Sequence, residues 1–134
     1  MAGNTFVNGT FDILHPGHLA LLEYASSLGS RLFVAIDNDE RVKELKGEDR
    51  PINDVRTRRL MLESIRWVDE VIIFGSDIEL DLIVRQIRPE HMIVGSDYRD
   101  KHVIGSRWAK NLHFYDKIDE YSTTKTIQRI TDRG

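Results

Sequence analysis

The run Arg31–Ile36 (RLFVAI) restricts the fold of this chain more than any other feature. After Arg31 it is apolar at every position. A strand with one wet face alternates, so an unbroken apolar run reads as a strand buried on both faces of a parallel sheet. Parallel neighbours cannot be joined by tight hairpins; they need crossover segments. The rest of the sequence supplies both parts. Thr5–Val7, Glu70–Phe74, His91–Val94 and Leu112–Tyr115 read as further strands. Between them, Pro16–Leu28 and Asp77–Ile87 carry apolar residues at helical spacing, and Asp39–Leu45 fits a short helix. Asn53 or Asp54 can cap a helix running to about Ile65. Trp67 follows in the same apolar stretch and reads as a core residue of a helix. Ser122 or Thr123 can cap a last helix ending before Gly134.

Alternating strands and helices predict an α/β fold, Rossmann-like and doubly wound. The sheet is mostly parallel with helices on both faces, in one domain spanning 1–134. At 134 residues the chain can bury a core without staples. It has no cysteine, which excludes disulfides, thiolate catalysis and Cys-zinc sites. A net charge of −3 gives no global basic field for nucleic acid. No apolar run nears the roughly 18 residues that a membrane span needs, and no leader pattern is visible. The expectation is a cytoplasmic protein with neither nucleic-acid nor membrane partners.

In a doubly wound sheet, ligands sit at the carboxyl ends of the strands. Three polar turns fall there: Asn8–His18, Asp37–Asp39 and Gly95–Tyr98. The first reads as strand, tight turn, helix, and a helix start offers unbonded N–H groups and a positive dipole end to phosphate. His15 and His18 add two imidazoles, Pro16 suits the first helical turn, and Gly17 allows close approach to the backbone. Taken alone, two histidines three residues apart also fit a surface pair or half of a metal site, but no cysteine or third histidine neighbours them. Ser122, Thr123, Thr124 and Lys125 open the last helix. A plain cap needs one hydroxyl, whereas three plus a lysine make a second phosphate cradle. Lys46, Arg50, Arg58 and Arg59 are basic residues of a loop and an early helix, where a solvated face is the ordinary reading. Asp12 can brace the turn or orient His15, and Asp39 can cap a helix or bind sugar hydroxyls. Gly95 and Asp97 fall after the fourth strand. Tyr98 and Trp108 can stack on a base or pack in the core.

NGTFDILHPGH, Asn8 to His18, resembles the (G/N)G(T/C)FD-x-x-H-x-G-H signature of the cytidylyltransferase-like nucleotidyltransferases. YSTTKTIQRI, Tyr121 to Ile130, is similar to that family's second motif. RTRRLMLESIRWVDEVI resembles the glycerol-3-phosphate cytidylyltransferases. KGEDRP (Lys46–Pro51) and GSDY (Gly95–Tyr98), with Gly105-Ser106, resemble the adenylyltransferase domain of bifunctional heptose-phosphate enzymes. The resemblance implies nucleotidyl transfer from ATP or CTP to a phosphorylated sugar or polyol, with pyrophosphate released and Mg²⁺ accompanying the triphosphate. No protein-only metal cage is expected.

By resemblance His15, His18, Lys46 and Arg58 are catalytic. Gly9, Thr10, Phe11, Gly17, Gly95, Asp97, Ser122, Thr123, Thr124 and Lys125 hold the nucleotide. Asp12, Asp39, Arg50 and Tyr98 meet the acceptor, and Arg59 stays on a solvated face. Homodimers are common in the family. The expectation is ATP with heptose 1-phosphate, in carbohydrate biosynthesis. The alternatives are a CTP-dependent glycerol-3-phosphate-type cytidylyltransferase and, outside enzymes, a nucleotide-binding module without turnover.

Overall fold

The computed structural model describes residues 3–116 and, in the last helix, 123–133, where side chains are described for 126–131. Five strands form one sheet: β1 (Thr5–Gly9), β2 (Leu32–Asp37), β3 (Glu70–Phe74), β4 (His91–Gly95) and β5 (Asn111–Tyr115). The order is β3-β2-β1-β4-β5, and every neighbouring pair is parallel. The mostly parallel sheet read from the sequence is therefore wholly parallel. All six residues of β2 are buried, as its unbroken apolar run requires.

The helices are α1 (Pro16–Leu28), α2 (Asp39–Lys46), α3 (Val55–Glu63), α4 (Asp77–Ile87) and α5 (Thr123–Arg133). They fall on both faces. Leu22 and Ala25 of α1 and Leu62 of α3 pack with Val7, Val34 and Ile93 on one side. Leu80 and Val84 of α4 pack with Phe6, Ala35 and Met92 on the other. Successive strand residues point to opposite faces, which is why Phe6 and Val7 belong to different cores. The chain moves outward from β1 through β2 to β3, then returns to the opposite side of β1 as β4. The resulting crevice between β1 and β4 is the place where such folds bind ligands.

Helix starts follow cap chemistry. The Asn38 side chain accepts from Arg41 N–H, the Asp54 side chain from Thr57 N–H and the Ser76 side chain from Glu79 N–H. Asn38 thus takes the cap position that the sequence offered to Asp39. α3 ends at Glu63, short of Ile65. Ser64 Oγ donates to the Leu60 carbonyl, and the chain tightens into turns through Ile65 N–H to Leu62 O and Val68 N–H to Ile65 O. Trp67 accordingly sits in a turn, not a helix, and packs half-buried against the α1/α3 core. Two short 3₁₀ turns, Ser96–Tyr98 and Ser106–Trp108, lie between β4 and β5, in a stretch without helical periodicity.

Gly105 introduces the second 3₁₀ turn at φ 83°, a left-handed conformation that disfavours side chains. An added Cβ would lie 2.7 Å from Cγ2 of the fully buried Val84. Gly105→Ala is expected to cost about 1–3 kcal/mol through strain and overpacking. A lowered urea midpoint with unchanged slope would show it; an unchanged midpoint would mean that this turn does not pack on α4 as described.

Candidate active site

The last residues of all five strands, Gly9, Asp37, Phe74, Gly95 and Tyr115, line one open cavity of about 390 Å³. Asn8, Thr10, Phe11 and His18 add the β1–α1 turn to its wall. Arg41, Leu45 and Lys46 come from α2, and Asp97 and Tyr98 from the turn after β4. The three polar turns singled out in the sequence therefore meet at one place. His102, Val103, Ile104, Leu21 and Leu80 complete the lining with Val94.

The β1–α1 turn is shaped by Phe11, whose φ of 50° is unusual for a non-glycine residue. Its ring is buried over Gly9, where an added Cβ would lie 2.9 Å from Phe11 Cε2. The same ring lies 5.2 Å, centroid to centroid, from His18. Phe11 therefore packs as well as lining the cavity. α1 then begins with a reciprocal pair of caps made by imidazoles. Gly17 N–H donates to His15 Nδ1 at 3.1 Å, and His15 N–H donates to His18 Nδ1 at 3.2 Å. The two rings stack with centroids 3.8 Å apart. Because each Nδ1 accepts an N–H, each neutral ring carries its proton on Nε2 and is a donor there. His18 lines the cavity, whereas His15 stacks on it from outside the lining set, and Gly17 lies in the first turn of α1 as a backbone donor. Burial pushes the His15 pKa below its ordinary value, which favours the neutral ring at pH 7.

Several charged residues expected to touch substrate tie loops together instead. Arg58 is fully buried. Its Nε donates to the Asn53 carbonyl, Nη1 to the Thr10 carbonyl and Nη2 to Asp39 Oδ1 at 2.8 Å. All three donating nitrogens are engaged and the residue is absent from the cavity wall, which corrects its assignment as a catalytic phosphate contact. Asp39 is held by the same pair rather than lining the cavity. Asp12 is also buried; its carboxylate accepts from Ile52 and Asn53 N–H, each at 2.8 Å. Arg50 lies 3.5 Å from that carboxylate, with Nε and Nη2 buried and not hydrogen-bonded. Asp12 and Asp39 thus brace the loops through these bonds, while Arg50 lies beside Asp12; none of the three, expected as acceptor contacts, lines the cavity. Arg59 pairs with Glu63 on the solvated face, as expected.

Lys46, at the end of α2, does line the cavity, as do Gly9, Thr10, Gly95, Asp97 and Tyr98. Tyr98 is 43 % exposed. Trp108 does not join it: its Nε1 donates to Asp81 and its ring packs on the α4 side. Ser122 lies outside the described residues, as do the side chains of Thr123, Thr124 and Lys125.

Sequence reasoning placed Asp37 in a polar turn at the site without giving it a role, and missed Arg41. Arg41 Nε donates to Asp37 Oδ2 at 3.0 Å and Nη2 to Asp77 Oδ1 at 2.6 Å. Desolvation pulls the Arg41 pKa down, but the hydrogen bonds and charges of Asp77 and Asp37 outweigh it and raise it overall. The available signal was positional: an aspartate closing a buried strand, four residues before an arginine. Among the described residues no group of three or more His, Asp or Glu side chains converges as a metal cage.

The cytidylyltransferase-like family model matches residues 6–129. The bifunctional protein HldE of Helicobacter hepaticus is 43 % identical over 125 residues, 93 % of this chain and 26 % of that protein. HldE of Campylobacter concisus is 44 % identical over 127 residues, 95 % of this chain and 27 % of that protein. The chain thus spans about a quarter of the length of these curated relatives. The crystal structure of a lipopolysaccharide core biosynthesis protein from Thermoplasma volcanium superposes with a TM-score of 0.70 at 23 % identity. That match covers 86 % of this chain and 98 % of that one. At that identity the likeness shows the fold.

Removing Arg58 strands two carbonyls and the Asp39 carboxylate. Arg58→Ala is expected to cost about 3 kcal/mol, less than a fully buried pair because Asp39 is 35 % exposed. Equilibrium urea unfolding reads this, and a loss below 1 kcal/mol would contradict the bracing role. His15 gives a pH dependence. Its folded pKa lies below the unfolded value near 6.5, so the unfolded chain binds the extra proton first. Stability should be full above that value and fall as pH drops through it. His15→Asn keeps a capping acceptor and should flatten the fall of melting temperature between about pH 7.5 and 5.5. An unaltered slope would exclude the partly buried neutral ring.

Proposed function

This chain belongs to the cytidylyltransferase-like family of nucleotidyltransferases, and we propose that it transfers AMP from ATP to heptose 1-phosphate with release of pyrophosphate. The observation that carries the proposal is the pair of imidazoles at the β1–α1 turn. Each Nδ1 is taken by a backbone N–H, which directs the ring proton of a neutral imidazole to Nε2, and His18 lines a cavity that also holds Thr10 and Lys46. The choice of ATP and heptose rests on KGEDRP and GSDY and on 43 % identity to HldE.

An oxygen of the acceptor phosphate attacks the α-phosphorus. The bond from that phosphorus to the bridging oxygen breaks, and pyrophosphate leaves with the electron pair. The nucleophile is already ionised near neutral pH, so no side chain need remove a proton. The work left to the protein is alignment and stabilisation of charge on the α-phosphate. His18, backed by His15, donates to the triphosphate, and Thr10 offers its hydroxyl and N–H at the turn. Lys46 supplies positive charge toward the acceptor phosphate. Gly95 and Asp97 form the wall for the nucleoside; Tyr98, expected from the sequence to meet the acceptor, is reassigned to the base because it lines the cavity beside them after β4, and Ser122–Lys125 are assigned to the β- and γ-phosphates from the family motif. Mg²⁺, when bound with the triphosphate, neutralises part of its charge. A homodimer is part of the proposal, resting on the family resemblance, and a cytoplasmic location is kept as the expectation read from the sequence. Among the described residues no helix is long and apolar enough to cross a membrane.

Pyrophosphate release with ATP or CTP against heptose 1-phosphate or glycerol 3-phosphate is the test. Release is expected with ATP and heptose 1-phosphate, and His18→Ala should lower kcat about 10²–10³-fold. Release only with CTP and glycerol 3-phosphate would overturn the branch. Nucleotide-dependent melting shifts without release in any pairing would indicate a binder.

A further inference from the structure

We infer that Asp37, held by Arg41 and braced by Asp77, recognises hydroxyl groups on the end of the acceptor remote from its phosphate. This inference deepens the proposed transferase reading and rests on it. Asp37 is the last residue of β2, lines the cavity and is nearly buried. Its Oδ2 is occupied by Arg41 Nε at 3.0 Å. Among the described residues nothing donates to its Oδ1, and that oxygen is not sealed from solvent. A fixed carboxylate with one committed oxygen and one accessible oxygen suits a neutral donor such as a hydroxyl.

Charge decides which part of the ligand belongs here. Asp37 and Asp77 outnumber Arg41, whose guanidinium is bonded to both. On this part of the wall Asp37 and Arg41 cancel, and Asp77 outside the lining also holds Arg41, so no unmatched positive charge faces a phosphate here. Lys46, further along the same helix and also lining the cavity, provides the cation that a phosphate needs. An acceptor with a phosphate at one end and hydroxyls at the other fits both. The aromatic face suited to a base, Tyr98, lies at the end of β4, on the far side of β1 from β2. The hydroxyls read by Asp37 are therefore those of the acceptor rather than those of the nucleotide ribose. Arg41 acts here as a positioning residue: its side chain, stacked 5.4 Å over the Phe74 ring, fixes the carboxylate.

The test compares Asp37→Ala and Asp37→Asn with the wild type in pyrophosphate release, with KM measured separately for acceptor and for ATP. Acceptor analogues lacking one hydroxyl at a time are run in parallel. Asp37→Ala should raise the acceptor KM about 10- to 100-fold, the scale of one lost charge-assisted hydrogen bond. The ATP KM and kcat should stay within about threefold. One deoxy analogue should lose about 10-fold or more in kcat/KM with wild type and almost nothing with Asp37→Ala, a coupling that general loosening of the wall would not produce. Asp37→Asn keeps the size of the side chain and should still show the higher acceptor KM if the alanine variant folds poorly, as judged by its ATP-dependent melting shift. A rise in ATP KM instead would assign the carboxylate to the ribose and overturn the inference. An unchanged acceptor KM, or equal sensitivity of wild type and variant to every deoxy analogue, would overturn it as well. Wild type that turns over no phosphorylated sugar would remove the transferase reading and this inference together, an outcome distinct from normal turnover with an indifferent Asp37.

Discussion

Two buried ions hold the β1–α1 turn in place, and the shape of the cavity wall depends on them. Arg58 donates to the Thr10 carbonyl on one side of Phe11, and Asp12, on the other side, accepts two N–H groups of the loop before α3. Between these clamps Phe11 sits at positive φ with its ring buried, a conformation that needs support from its surroundings. A buried ion without partners would destabilise the fold; here the partners are backbone groups and Asp39. The same bonds that satisfy the charges therefore set the path of the chain into α1. The imidazole caps can form only because that path brings His15 and His18 to the first turn of the helix.

Once the turn is fixed, division of labour around the cavity follows from the sheet order. β1 ends in the centre with the imidazoles, β2 on one side brings Asp37 and α2, and β4 on the other brings Gly95, Asp97 and Tyr98. In the proposed reaction the imidazoles donate rather than exchange protons. Each Nδ1 is an acceptor for backbone, which leaves the proton at Nε2, and burial opposes a positive charge on His15. Neutral donors that need little reorganisation suit the charge that develops on a transferring phosphoryl group.

The layered fold was legible in the sequence because period and composition are local. The buried run at β2 and the bounds of α1, β3 and α4 could be read within a few residues. The gathering of the β1, β2 and β4 turns at one end followed from the parallel sheet alone. What was not legible depended on distant partners. Arg58 meets Thr10 from 48 residues away, and Asp12 meets Ile52 from 40. A basic residue near a phosphate motif reads the same whether it faces the ligand or braces the loop from behind. Trp67 was placed in a helix because its apolar neighbours carry no signal for the turns started by Ser64. Asp37 is legible as part of a polar turn, but its role is not, because it closes an apolar strand and belongs to no motif.

The most direct test of the central claim is the tautomeric state of His15 and His18, read by ¹⁵N chemical shifts of the imidazole rings at pH 7.5 with and without Mg-ATP. Asparagine substitutions at each position would assign the signals. Two neutral rings protonated at Nε2, with the His18 Nε2 signal moving on addition of nucleotide, are the predicted result. A proton on Nδ1 of either ring, or a His18 signal indifferent to nucleotide, would contradict the account.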